Sequence, residues 1–142
     1  MSGMKKKVLP QYYHSYSTLE LGLIAVCKAF FVGLKKQKIM VVPYGYYADE
    51  ELPHAQLHPK GPLEESQFNF IEHLVFQGKE HIKAGEASCF AVAFDAHVLD
   101  EESIDEDALA ILLFKEDGQK VQINVPYVLS EDDLVFGEEW LA

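Results

Sequence analysis

The sequence contains no arginine, so all twelve of its cationic side chains are lysines. They are outnumbered by 23 aspartates and glutamates, which gives a formal net charge of -11 at pH 7. Arginine is the usual bidentate partner of phosphate and carboxylate groups, and proteins that bind nucleic acid or an anionic membrane generally present a basic patch. The composition therefore predicts no nucleic-acid partner and no membrane partner. The absence of arginine also argues against nucleotide and phosphoester substrates.

Cysteine is nearly as scarce, since Cys27 and Cys89 are the only two in the chain. Each lies inside an apolar run, which is typical of a buried free thiol rather than of a disulfide or a reactive pair. Free thiols suit a reducing compartment, so the sequence predicts a cytoplasmic protein. No serine lies in a glycine-flanked elbow, and no catalytic nucleophile is assigned.

Long hydrophobic runs are missing as well. The longest, residues 21–34, has fourteen positions and is interrupted by Lys28, whereas a membrane-spanning helix needs about 20 apolar residues. Lysines 5–7 precede this run, but a polar stretch separates them from it, and no small-residue cleavage site follows. The sequence therefore predicts a soluble chain with no signal peptide.

Three strands and one tight turn are predicted between residues 88 and 127. Residues 120–125 read KVQINV, in which every second side chain is apolar, as in a strand with one buried face. Residues 88–99 and 108–114 carry long apolar stretches, which are typical of strands covered on both faces. Asp117-Gly118 lies between the last two strands and predicts a hairpin. Pro126 predicts that the final strand ends there or lies at a sheet edge.

Two helices are predicted from capping residues and apolar spacing. Ser17 and Glu20 form a capping box ahead of a helix over about residues 18–36. This helix is apolar around most of its circumference, which predicts that part of it is covered by a second copy of the chain in a homodimer. A second helix is predicted over residues 63–83, with Gly85 as its cap.

The remaining segments complete the predicted architecture. Residues 39–42 are interpreted as a short strand, residues 43–47 (PYGYY) as a turn with exposed rings, and residues 48–62 as the longest loop. The sequence predicts an α+β fold: two main helices packed on a mostly antiparallel sheet of four to five strands. We expect a single domain over residues 1–142, with residues 1–10 as a frayed start and residues 129–142 as a docking tail.

Three tyrosines and four potential metal ligands are the candidate site residues. Tyr44, Tyr46 and Tyr47 are candidates for ligand contact, since tyrosine combines a large apolar ring with a polar tip. The candidate ligands of a divalent metal are His54, His58, Asp95 and His97. The metal site requires the proline-rich loop to fold over the end of the strand formed by residues 88–99. The simpler interpretation is two exposed loop histidines beside a solvated acidic run at residues 100–107.

Two further histidines, His73 and His81, lie on the second predicted helix near Glu72 and Glu80. Eight residues separate the histidines, which places them about two helical turns apart and too far from each other to share one ion. They are therefore interpreted as structural or surface residues.

Three functions remain open from the sequence. The leading hypothesis is a small acidic binding or interaction protein without enzymatic activity, which binds a protein or a small ligand. The first alternative is a metal-dependent enzyme or metal-binding protein that uses the four ligands named above. The second alternative is an acidic decoy that mimics nucleic acid, in which residues 100–107 and 131–133 form one continuous face.

Overall fold

The computed structural model describes residues 13–58, 66–99, 105–131 and 133–142. Its helices, after a short 3-10 turn at Tyr13–Ser15, are α1 (Thr18–Lys36) and α2 (Gln67–Lys83). Its strands are β1 (Tyr44–Ala48), β2 (Ala55–Gln56), β3 (Cys89–Leu99), β4 (Asp105–Phe114), β5 (Lys120–Leu129), β6 (Leu134–Phe136) and β7 (Trp140–Leu141). The predicted frayed start, residues 1–10, lies outside the described part of the chain.

The strands form one antiparallel sheet in the order β2-β1-β3-β4-β5-β6, and β7 also pairs with β5. The predicted α+β fold is therefore confirmed, with seven strands instead of four to five. Four of the seven come from segments that were not predicted as strands: β1 and β2 from the predicted turn and loop, and β6 and β7 from the predicted docking tail. The hairpin between β4 and β5 turns at Gly118, whose φ of 91° is a left-handed value that glycine adopts without steric cost.

Each face of the sheet is covered by one helix. Ala91 of β3 belongs to the apolar cluster that contains Phe31 of α1, whereas its neighbour Val92 belongs to the cluster that contains Leu74 of α2. Successive side chains of a strand point to opposite faces, so α1 and α2 lie on opposite sides of β3. The prediction that this strand is covered on both faces is confirmed.

The start of α1 is fixed by the capping box that the sequence predicts. Ser17 accepts a hydrogen bond from the Glu20 backbone, and the Glu20 carboxylate accepts one from the Ser17 backbone at 2.8 Å. The other oxygen of this buried carboxylate accepts a hydrogen bond of 2.7 Å from the backbone N–H of Glu116, in the β4–β5 hairpin. One side chain therefore caps the helix and ties it to the central hairpin.

The second helix begins at Gln67 and not at the predicted residue 63, because the side chain of Ser66 caps it by accepting from the Asn69 backbone. The helix lies very close to β3 at Gly78. A Cβ atom added there would lie 2.3 Å from the Phe90 ring, so only glycine permits this approach. α2 thereby extends along β3 and β1.

Three of the predicted local structures are wrong, the first being the loop over residues 48–62, which includes the end of β1 and the whole of β2. Residues 43–47 do not form an exposed turn: Tyr44–Ala48 is strand β1, and Tyr44 and Tyr46 are buried. Residues 39–42, predicted as a strand, are not in regular structure. The glycine that suggested a turn, Gly45, is needed because a Cβ there would lie 2.6 Å from the Ala91 carbonyl oxygen on β3.

The last long strand also differs from its prediction. β5 continues through Pro126 to Leu129, and Pro126 pairs with Ala108 in the interior of the sheet. Proline is tolerated because β7 pairs with residues 123 and 124, whereas β6 pairs only from Tyr127 onward. The missing N–H therefore falls between two pairing segments.

Neither described helix is long and apolar enough to cross a membrane.

Candidate functional site

A cleft of about 790 Å³ lies between α2 and the edge of the sheet formed by β1 and β2. Three of the six histidines of the chain converge on it: His58 just after β2, and His73 and His81 on α2. We call this cleft the histidine cavity. Its volume lies in the range of small-ligand sites, which span roughly 300–1,000 Å³.

One flank of α2 supplies most of the cavity wall. The helix contributes residues at intervals of three and four positions, which places them on one side of the helix. They are His73, Phe76, Gln77, Glu80 and His81, followed by Ala84 just past the last turn. Phe76 is 64% exposed, so its ring is available at the mouth of the cleft.

The opposite wall is built around Tyr47 of β1. Tyr44, Tyr46 and Ala48 point toward α1, so the alternation of the strand directs Tyr47 toward α2. Its ring stacks on the His81 imidazole, with centroids 3.9 Å apart and planes inclined by 13°. This contact joins the strand wall of the cavity to the helix wall.

The end of α2 adds a carboxylate to the cavity. Gly85 follows the helix with φ of 77°, and this left-handed turn lets the backbone N–H of Glu86 donate to the His81 carbonyl at 2.9 Å. The Glu86 carboxylate consequently lies 2.7 Å from Nδ1 of His81. The helix cap therefore holds the acid beside the imidazole.

The three tyrosines predicted to contact a ligand are separated by the sheet. Tyr47 lines the histidine cavity. Tyr44 and Tyr46 lie under α1, where the Tyr44 hydroxyl donates to the carbonyl oxygen of Cys27 at 2.6 Å. Burial, the largest cause, raises the pKa of both hydroxyls above the ordinary tyrosine value. Of the three tyrosines, Tyr47 therefore remains the candidate for ligand contact in this cavity.

The two loop histidines of the predicted metal site occupy different surroundings. His54 lies before β2, with its ring edge-on to Tyr46 at a centroid distance of 6.0 Å. His58 lies after β2 and lines the histidine cavity. β1 separates β2 from β3 in the sheet, and β3 carries the other two candidate ligands, Asp95 and His97.

Asp95 binds two side chains on the α1 face. Lys35 at the end of α1 approaches one carboxylate oxygen at 2.8 Å, and the Tyr127 hydroxyl donates to the other at 2.7 Å. Burial, and then this hydrogen bond to Asp95, raise the pKa of Tyr127 above its ordinary value. Asp95 therefore ties α1 to β5 across the sheet surface.

His97 lies between two aspartates of β4. Its Nδ1 is 2.9 Å from Asp107, and its Nε2 is 3.7 Å from Asp105. The hydrogen bond with Asp107 is the main cause of a raised pKa for the imidazole. The sequence predicts that Asp105 and Asp107 lie in a solvated acidic run, but they belong to β4 and pair with β3.

Within the described part of the chain, no group of three or more histidine, cysteine, aspartate or glutamate side chains is placed to hold a metal ion. The four-residue metal site stays a prediction. The decoy hypothesis also stays a prediction, because residues 100–104 and Asp132 of its acidic face lie outside the described residues.

The two thiols are placed as the sequence predicts. Cys27 and Cys89 are free and buried. Burial raises the pKa of each to about 12, so the nucleophilic thiolate is disfavoured at neutral pH. Neither thiol lines the histidine cavity.

Four cavity residues are not predicted as site residues by the sequence: His73, Glu80, His81 and Glu86. The interpretation of His73 and His81 as two separate residues of one helix left out the contributions of other segments, which bring His58, Tyr47 and Glu86 to the same cleft. The only available indication was that His73, Phe76, Glu80 and Ala84 share one helical flank. Comparison of the chain with protein-family models, curated proteins and solved structures finds no match.

Proposed function

We propose that this chain is a non-enzymatic binding protein and that its ligand site is the histidine cavity. The observation that carries the proposal is the convergence of three imidazoles and two aromatic rings, Tyr47 and Phe76, on one cleft of about 790 Å³. Ligand sites commonly combine an apolar wall with a few polar groups that orient the ligand. Here the rings provide the wall, and the imidazoles and carboxylates provide the polar groups.

The local packing supports a site that is formed before a ligand arrives. Tyr47 is fixed by β1 and by its stack on His81, and Glu86 is fixed by the turn at Gly85. α2 itself is held against β3 through Gly78 and Phe90. A site whose walls are already ordered loses less conformational entropy on binding than a flexible one.

The proposal is tested by titrating the protein with three aromatic compounds of different charge: benzylammonium, benzyl alcohol and benzoate. We expect at least one of them to cause saturable shifts in the backbone NMR signals of Tyr47, Phe76 and Ala84. If none does so at up to about 10 mM, which corresponds to very weak binding, the cavity is not a small-ligand site and the proposal is wrong.

A matched pair of variants identifies the site. Phe76→Ala removes an exposed ring from the cavity, so it should weaken binding. Phe68→Ala removes a ring of similar exposure, 66% against 64%, from the other flank of α2. The second variant should bind as the unmodified protein does, and equal losses in both would locate the ligand elsewhere.

Two parts of the proposal rest on the sequence: a homodimer and a cytoplasmic location. Leu21, Val26 and Phe30 of α1 are only partly buried against the core, which leaves apolar area for a second copy. A native mass spectrum should show twice the chain mass of 16.1 kDa. A monomer would contradict the homodimer, and a mass lost on adding chelator would favour the metal-binding alternative. Cell fractionation tests the location.

A further inference from the structure

We infer that the ligand of the histidine cavity is an organic ammonium ion, that is, an amine that carries a positive charge and an apolar body. This inference rests on the proposed function, since it names the ligand class of the same site. It follows from three features of the cavity: the sign of its charged groups, the end of the helix that lines it, and its aromatic surface.

The charged groups of the cavity wall are negative. Glu80 and Glu86 line it, and the described lining contains no lysine. Lys79 points to the other flank of α2, where it lies over the Phe114 ring at 5.9 Å. Lys83 is 3.5 Å from Glu80, but its side chain is 76% exposed, and such surface ion pairs are weak. The Glu80 carboxylate therefore remains available to a cationic ligand.

The position of the cavity along α2 favours a cation for a second reason. Glu80 and His81 belong to the last turn of the helix, and Ala84 is its cap. The last carbonyl groups of a helix have no partners within it and give this end a partial negative charge. Imidazoles in their neutral form add nitrogen acceptors, which an ammonium N–H can donate to.

The aromatic rings account for the apolar part of the ligand. Tyr47 and Phe76 present ring surface to the cleft, and the faces of aromatic rings attract cations. An anionic ligand would meet the opposite conditions: two carboxylates, a helix carboxyl end and a chain of net charge -11. The same net charge draws small cations toward the protein.

The test measures dissociation constants by calorimetry for benzylammonium, benzyl alcohol and benzoate, which share a ring and differ in charge. We expect benzylammonium to bind most tightly and benzoate most weakly, and we expect added salt to weaken benzylammonium alone. Tighter binding of benzyl alcohol or benzoate would overturn the inference about ligand class while leaving the proposed function in place. Binding of none of the three would remove both.

Variants of the carboxylates provide the second measurement. Glu80→Gln and Glu86→Gln should each reduce the affinity for benzylammonium roughly two- to fivefold, as for partly exposed ion pairs. Neither should change the affinity for benzyl alcohol. Glu131→Gln, at an exposed residue outside the cavity, is the control and should change neither affinity. If Zn²⁺ alone shifts the His58, His73 and His81 signals at lower concentration than benzylammonium does, the ligand is a metal ion and the inference is wrong.

Discussion

The ring of Tyr47 stacks on the imidazole of His81, with 3.9 Å between ring centroids, and so joins strand β1 to the last turn of α2. The two residues, at positions 47 and 81, are 34 positions apart in the sequence. Their contact forms one corner of the histidine cavity, and it depends on how closely α2 lies to the sheet. The stability of the helix–sheet contact and the binding properties of the cavity are therefore coupled.

Gly78→Ala tests the close approach of α2 to β3. The added Cβ would lie 2.3 Å from the Phe90 ring, so we expect overpacking to cost about 1–3 kcal/mol of unfolding free energy. Better helix propensity offsets about 1 kcal/mol of this. Chemical denaturation measures the result, and benzylammonium binding should weaken as the helix is displaced.

The control for this variant is Gly22→Ala on α1. A Cβ at residue 22 would have no atom within 4 Å, so the substitution gains helix propensity without a clash. We expect it to raise the unfolding free energy by up to about 1 kcal/mol. Equal effects of the two substitutions would show that the Gly78–Phe90 contact does not constrain α2.

The turn at Gly85 is predicted to control the Glu86 carboxylate. Gly85→Ala forces a β-carbon into a φ of 77°, which costs about 1–2 kcal/mol. The strained turn should move Glu86 away from His81 and lower the affinity for benzylammonium. Gly85→Asn should retain more of both the stability and the affinity, because asparagine tolerates this conformation. Denaturation measures the unfolding free energy of the two variants, and calorimetry measures their affinity for benzylammonium. Equal values for Gly85→Ala and Gly85→Asn would argue against a role for the turn.

Tyr44→Phe should destabilise the packing of α1 on β1. The variant removes the buried hydrogen bond of 2.6 Å from the Tyr44 hydroxyl to the Cys27 carbonyl, at an expected cost of about 0.5–1.5 kcal/mol. Tyr46→Phe is the control, because Tyr46 is a second buried tyrosine that packs in the same core cluster from the same strand. In urea denaturation, the unfolding free energy of Tyr44→Phe should be clearly lower than that of Tyr46→Phe. The reverse order would contradict a stabilising role for the hydrogen bond from Tyr44 to Cys27.

His97 should titrate above the ordinary histidine pKa of about 6.5, because Asp107 and then Asp105 favour its protonated form. Since the pKa is raised in the folded state, the contribution of His97 to stability is present below the pKa of the unfolded chain. It is lost as pH rises through the higher folded-state value. An NMR titration of the ring should show a lower midpoint in Asp107→Asn and a smaller decrease in Asp105→Asn. Glu50→Gln should leave the midpoint unchanged.

Much of the fold follows from local patterns in the sequence. The capping box at Ser17 and Glu20, the Asp117-Gly118 hairpin and the apolar runs of β3 and β4 each depend on residues close together in the chain. Their predictions are confirmed. Residues 43–47 are wrongly predicted as a turn because glycine is common in turns. Gly45 is instead required by the close approach of a β3 carbonyl oxygen, and the local sequence does not reveal such a tertiary contact.

The candidate site was predicted less completely, for the same physical reason. The sequence identifies His58 as a candidate metal ligand and Tyr47 as a candidate ligand contact, in two separate sites. No local pattern indicates that other segments of the chain join them in one cavity. The cavity arises because α2 lies across β1 and brings His73 and His81 toward the end of β2. Such convergence depends on packing between distant segments, so the spacing of histidines within α2 alone could not predict it.

The six histidines of the chain allow one direct measurement of whether the histidine cavity is the ligand site. In a ¹H–¹³C NMR titration with benzylammonium, the ring signals of His58, His73 and His81 should move together with a single dissociation constant. The rings of His14, His54 and His97 lie outside the cavity lining and should stay in place. Movement of these three rings without movement of the cavity rings would contradict the account.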